Sequence, residues 1–197
     1  MAPRSYTLGR RAQTAAATRR RIVEAAAEVY RESGVAAASI GAVAERANVS
    51  RGSVLHHFGD ADGLLGAVLD EVLESIEVPD ARVLTEGAPP ERRIRELVDA
   101  MGRFYDRSTT WWDVFSRDMG QPDLQARERE FWASIAQLQA AALGNAADDR
   151  IVRSTLGAIL HPWTFGTLRA SGLSLGEAID VIADLVIDVV RRREGIA

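Results

Sequence analysis

Seven candidate binding residues fall within a single short stretch, Ser39 to Phe58: Ser39, Ser50, Arg51, Gly52, Ser53, His56 and His57. On a helical wheel of about 100° per residue, Val54 and Phe58 share the inward side of the segment that begins at Arg51. Gly52, Ser53 and His56 fall opposite them, with Arg51, Leu55 and His57 at the rims. A face that is small, polar and led by an arginine is what a helix needs to enter the DNA major groove, where donors must reach base edges or phosphates. The same stretch also fits a helical hairpin on the surface of any all-α protein.

A second group is apolar. Met101, Phe104, Tyr105, Trp111, Trp112, Phe115, Phe131, Trp132 and Trp163 gather most of the large rings in the C-terminal two-thirds of the chain. They could line a pocket between helices for an apolar or aromatic ligand, or they could be ordinary core. His161 stands beside Pro162, where a kink would open space, and is the expected polar contact in such a pocket.

Catalytic chemistry finds little support. The chain has no cysteine, hence no thiolate nucleophile, disulfide or thiolate metal site. There is no glycine-rich phosphate loop, and helical spacing puts no serine beside His161. His56 and His57 are neighbours, and neighbours on a helix point about 100° apart, so they cannot share one metal ion. No metal, no cofactor and no enzymatic activity are expected.

The elements that must position these residues are all helical. Ile22, Ala25, Ala26, Val29 and Tyr30 mark an amphipathic helix from about Thr18 to Ser33, ended by Gly34. Arg19, Arg20 and Arg21 would then crowd its first turn, where the helix dipole disfavours cations, a hint of a nearby anion. Ser39 and Ser50 suit the N-caps of two further helices, and Asn48 suits the left-handed residue between them. Three short helices make a marginal core on their own, so this unit must lean on the next helix, about Asp60 to Ile76.

After a Pro- and Gly-containing loop over 77–90, a helix starts near Glu91. Thr109 or Thr110 is expected to cap a short helix bearing Trp111, Trp112 and Phe115. Pro122 opens another, Asp148 or Asp149 the next, and His161-Pro162 interrupts that one with a kink. In the last helix, Ser174 and Glu177 form a capping box. Beyond it Asp180, Asp184 and Asp188 make one narrow acidic stripe among residues that are otherwise nearly all apolar up to Val190. A helix covering its own core needs one apolar face. This helix has two, and the simplest cover for the second is another copy of the same chain. No strand-like alternation appears.

Charge divides the 197 residues sharply. Residues 1–58 carry nine Arg against four Glu, a net of +5, and the remainder carries 15 Arg against 24 acids, a net of −9. A basic end on an acidic body suggests a nucleic-acid end and a body with another purpose. Residues 1–17 are read as a flexible basic arm, either a DNA contact through Arg4, Arg10 and Arg11 or a disordered tail. No apolar run approaches the roughly 18 residues of a membrane span, and the first residues lack the apolar core of a secretory signal. A cytoplasmic protein without membrane contact is expected.

Residues 18–65 resemble the headpiece of the TetR family of transcriptional regulators. The matching residues are Arg19, Ile22, Ala25, Ala26 and Gly34, then Ser39-Ile40, Val43-Ala44, Ala47 to Ser53, His57-Phe58 and Leu64-Leu65. The resemblance implies an all-α fold, with a helix-turn-helix DNA-binding domain over 18–60 and a helical ligand-binding and dimerisation domain over 61–197. It also implies a homodimer through the last two helices, a double-stranded DNA operator, and a repressor released when a small molecule binds. Ser39, Arg51, Gly52, Ser53, His56 and His57 occupy positions that usually touch DNA in this family. Leu55 stands where the pattern commonly has a Tyr, and Ala61 where it commonly has a Lys; both of those meet phosphates. Their loss removes two backbone contacts per subunit, which weakens binding unless the N-terminal arginines compensate. The alternative is a dimeric small-molecule sensor or interaction module of the same fold that has lost tight, specific DNA binding.

Overall fold

A computed structural model of the chain describes residues 4–117 and 122–195, and every regular element in it is a helix. In chain order these are α1 (Arg4–Ser33), α2 (Ile40–Arg46), α3 (Arg51–Phe58), α4 (Ala61–Ile76), α5 (Pro90–Arg117), α6 (Pro122–Leu143), α7 (Arg150–Ile159), α8 (Pro162–Ala170) and α9 (Leu175–Glu194). Short 3₁₀ turns lie at Ala81–Val83 and Gly144–Asp148. The chain divides into two compact units, Met1–Ser75 with Thr110–Gln125, and Ile76–Thr109 with Ala126–Ala197.

The first unit extends past residue 60. α4 contributes the buried Leu64, Leu65, Val68, Leu69 and Val72 to a core that also holds Ile22, Ala26, Val43 and Val54. These side chains supply the apolar mass that three short helices lack. The turns close as their chemistry requires. Gly34, at φ 84°, ends α1, and Asn48 takes φ 52° after α2. Arg46 ties α2 to α1 through Glu28 at 3.0 Å and Glu32 at 2.7 Å.

Three expectations about local structure are corrected. α1 begins at Arg4, not near Thr18, so residues 4–17 are helical where a flexible arm was expected. Ala12, Ala15, Ala16 and Ala17 are strong helix formers, but this part carries no apolar stripe to announce a helix. Arg19, Arg20 and Arg21 therefore sit within the helix and not in its first turn, and they have protein partners. The Arg19 guanidinium lies 5.0 Å from the centroid of the Phe58 ring, and Arg21 Nε donates to the Ala47 carbonyl at 3.0 Å. Arg20 faces Glu24 at 3.7 Å. The arginine cluster consequently gives no sign of an anion. Second, α5 runs unbroken through Thr109 and Thr110; the Thr109 hydroxyl donates back to the Tyr105 carbonyl at 2.9 Å, as mid-helix threonines do, and caps nothing. Third, the chain at Pro162 is not kinked but broken into two helices, with Leu160 as the C-cap of α7 and His161 as the N-cap of α8.

In the second unit α5 supplies the fully buried Ile94, Leu97, Val98, Met101 and Phe104, and α9 supplies Ala178, Ile182, Ala183 and Val186. Gly102 permits the close approach of these layers. A Cβ there would stand 2.8 Å from both Ile179 Cγ1 and Phe165 Cε1. Ser174 and Glu177 complete the capping box of α9. At its far end Arg193 Nε donates at 2.7 Å to the carboxylate of Asp149, which also caps α7. That arginine holds the Asp149 carboxyl below the usual carboxylate range.

Candidate nucleic-acid interface

α3 is held from beneath by Val54, which is fully buried, and by Phe58, half-buried under Arg19. That anchoring fixes which side faces out. Arg51, Gly52, Leu55 and His56 are exposed, and Ser53 and His57 are half-exposed. The His57 ring packs 6.1 Å from Phe58 and 5.6 Å from His56, so its ring is partly committed to the rim of the core.

Ser39 and Ser50 serve twice. Each is an N-cap, the Ser39 Oγ accepting from the Ala42 N–H at 3.1 Å and the Ser50 Oγ from the Ser53 N–H at 3.1 Å. A hydroxyl that accepts a cap bond keeps its own O–H to donate, and both residues are exposed. Arg51 has no ion pair among the described residues, and the first turn of α3 carries no acid. Its guanidinium lies instead over Gly41 of α2. Leu55, 45% exposed, and Ala61, also exposed, offer neither hydroxyl nor ammonium at the outer surface. Sequence reasoning passed over Gly41, because a glycine inside a helix carries no donor; only the fold shows what occupies the space above it.

The ten aromatic and apolar candidates divide between the two units. Trp111 and Trp112 belong to the first. Trp111 flanks a groove of about 330 Å³ floored by Val23, Ala27, Val68 and Val72. Most of the groove's charges are met by the chain itself: Arg31 stands 5.5 Å over the Trp111 ring, Glu24 faces Arg20 and Glu28 pairs with Arg46, which leaves Glu71. The side chain of Phe115 lies outside the described residues.

Met101, Phe104, Tyr105, Phe131, Trp132 and His161 come together in the second unit. Phe104 stacks on Phe131 at 5.7 Å and touches Tyr105 at 5.4 Å. The Tyr105 hydroxyl donates to the Leu160 carbonyl at 3.2 Å, and burial pushes its pKa up. The outer edge is Trp132 stacked on His161 at 5.4 Å, with Trp132 Nε1 donating to Glu128 at 3.1 Å. Trp163 does not join them. It is 78% exposed, because position N2 of a new helix points it away from the core.

His161 Nδ1 accepts from the Trp163 N–H at 3.3 Å, which requires an unprotonated ring nitrogen. Burial lowers the His161 pKa below its ordinary 6.5, against a smaller opposing pull from Glu128. Its folded form binds protons less readily than its unfolded form, so its contribution is complete above pH 6.5 and is lost as pH falls toward the lowered value. Between pH 7 and 5 the urea midpoint should therefore fall more steeply in the wild type than in His161→Asn, whose amide oxygen caps a helix without titrating. Equal slopes would remove His161 as the source.

No group of three or more His, Asp or Glu among the described residues could hold a metal, and no helix among them is long and apolar enough to cross a membrane. A buried-backed helix in a tight helix-turn-helix, carrying small polar groups outward, defines a DNA-binding regulator of the helix-turn-helix class. Residues 22–68 match the family model described as bacterial regulatory proteins, tetR family. The chain is 31% identical over 180 residues to the HTH-type transcriptional regulator BetI of Burkholderia thailandensis, covering 85% of this chain and 91% of that one. It is 29% identical to BetI 1 of Chromohalobacter salexigens, covering 88% and 91% respectively. Among solved structures, the multidrug binding protein EbrR complexed with imidazole superposes with a TM-score of 0.60 at 26% identity, covering 85% of this chain and 88% of that one. The chain belongs to the TetR family of bacterial regulatory proteins. It is a ligand-responsive, DNA-binding transcriptional regulator, and of the two functional readings of the sequence the regulator stands.

Proposed function

We propose that the protein is a homodimeric repressor that places α3 of each subunit in successive major grooves of a double-stranded operator and leaves the DNA when an effector binds. The observation that carries this reading is the outward face of α3, where Gly52 and His56 are exposed and the Arg51 guanidinium is free of ion pairs among the described residues. Arg51 reads a guanine edge or a phosphate, Ser53 and His56 contact bases across Gly52, and Ser39, Ser50 and His57 contact the backbone. A protein with this task works in the cytoplasm.

The dimer forms through α8 and α9. Val181 and Leu185, 39% and 50% exposed, and the half-buried Val189 step i, i+4, i+8 along one side of α9, and Trp163 is exposed on α8. Trp163 is accordingly assigned to this face and not to a ligand site. The effector, an apolar or aromatic small molecule, meets the Phe131–Trp132–His161 edge of the second unit's aromatic cluster; the multidrug-binding name of the EbrR neighbour supports a ligand of that class. It releases DNA only if it binds the non-operator conformation more tightly.

Arg51→Ala should cost about 1–3 kcal/mol on the specific operator if Arg51 reads a base, measured by fluorescence anisotropy against an operator duplex and a scrambled one. An equal loss on both duplexes, with the salt slope falling by about one, marks a phosphate contact instead. No loss on either removes Arg51 from the interface.

A further inference from the structure

We infer that Gly41 of α2 is a specificity-determining position, whose missing side chain lets the Arg51 guanidinium lie close against α2 and be held ready for the operator. This rests on the reading of Arg51 as a DNA contact. A Cβ built on Gly41 would meet Arg51 Nη2 at 2.8 Å, Nε at 3.0 Å and Cζ at 3.1 Å. The two nitrogens Nη2 and Nε are nearest and Cζ slightly farther, so the Nε–Nη2 side of the guanidinium is the part closest to the glycine. No other atom is as near.

Glycine is not required there by the backbone, since Gly41 is absent from the positive-φ positions. It is a weaker helix former than alanine in the first turn of a seven-residue helix. What it provides is room. Arg51 stands at the positive end of α3 with no acid in that turn and no ion pair among the described residues to steer it. Without charge to locate it, close packing on Gly41 does so, and the guanidinium N–H groups, which make no hydrogen bond among the described residues, stay unspent for bidentate contact. A methyl at position 41 meets only the far end of a flexible side chain, which swings aside cheaply. The fold survives, and the prepared pose is lost.

The test uses the full-length protein and the tightest-binding duplex selected from a random-sequence pool. Gly41→Ala, Arg51→Ala and the double variant are titrated by fluorescence anisotropy on that duplex and on a scrambled one, and each is melted. Gly41→Ala should melt at or above the wild-type temperature, because alanine favours the helix, yet bind the selected duplex on the order of tenfold more weakly with little change on the scrambled one. In the Arg51→Ala background the same change should cost nothing further. If Arg51→Ala weakens binding and Gly41→Ala does not, this inference fails and the reading of Arg51 stands. If Arg51→Ala is itself silent, both fail. A loss that persists undiminished in the double variant, or a lowered melting temperature, overturns the role assigned to Gly41.

Discussion

Leu185→Glu should turn the dimer into a folded monomer and lower operator affinity by about 10²-fold or more. Leu185 is 50% exposed in the single chain, so the substitution removes no core contact within it. The new carboxylate would enter the apolar strip of Val181, Leu185 and Val189 and stand beside Asp188 and the Arg95-paired Asp184. Across a two-fold axis every change occurs twice. Two leucines lose about 1.5–3 kcal/mol each of apolar burial, and two carboxylates must be desolvated beside like charges, which costs more. The sum exceeds what a modest helical interface holds in reserve. Because one subunit's grip on DNA makes the other's intramolecular, losing the dimer forfeits an effective concentration worth about 10²–10⁴ in affinity. Light scattering reads the mass, circular dichroism checks that helicity is kept, and anisotropy reads the binding. A variant that stays dimeric places the interface elsewhere on the molecule.

The parts of this protein that local chemistry dictates were legible in its residues. Ser39, Asn48, Ser50, Asp149 and the Ser174–Glu177 pair are each where capping rules put them. The inward turn of Val54 followed from helical period alone, as did the outward turn of Gly52 and His56. A periodic signal needs something to repeat, however. The segment from Arg4 to Ala17 has no apolar stripe and read as an arm, although its alanines favour a helix. Thr109 and Thr110 looked like caps because threonine's hydroxyl suits both a cap and a mid-helix bond to the carbonyl four residues back; only the flanking packing decides between them.

The candidate site was legible in outline and not in detail for a similar reason. Aromatic residues clustered in sequence need not converge in space. Trp111 and Trp112 fall in one unit, and Phe104, Tyr105, Phe131 and Trp132 in the other. Trp163 turned outward because the chain broke at Pro162 and started a helix afresh, a change of phase that a kink would not have produced. The Gly41–Arg51 contact joins two helices across a turn, and no one-dimensional pattern encodes which side chain lies over which glycine.

Phe104→Ala should destabilise the protein by about 3–5 kcal/mol, the cost of emptying a well-packed aromatic site. Phe104 is 1% exposed, and its ring stacks 5.7 Å from Phe131 and 5.4 Å from Tyr105. Those neighbours are themselves constrained, Tyr105 by its bond to the Leu160 carbonyl and by Phe165 at 5.6 Å, so they cannot close the gap fully. The magnitude separates two roles for this ring. A residue bordering a chamber kept open for an effector has no partner atoms on one side, and its truncation costs the transfer term alone, roughly half as much. A residue packed on all sides pays the cavity term as well. Urea denaturation of the wild type and the variant reads the difference through the midpoint at constant slope. A loss at the upper end assigns Phe104 to the core and leaves the effector to the half-exposed Phe131, Trp132 and His161; a small loss places the chamber against Phe104 itself.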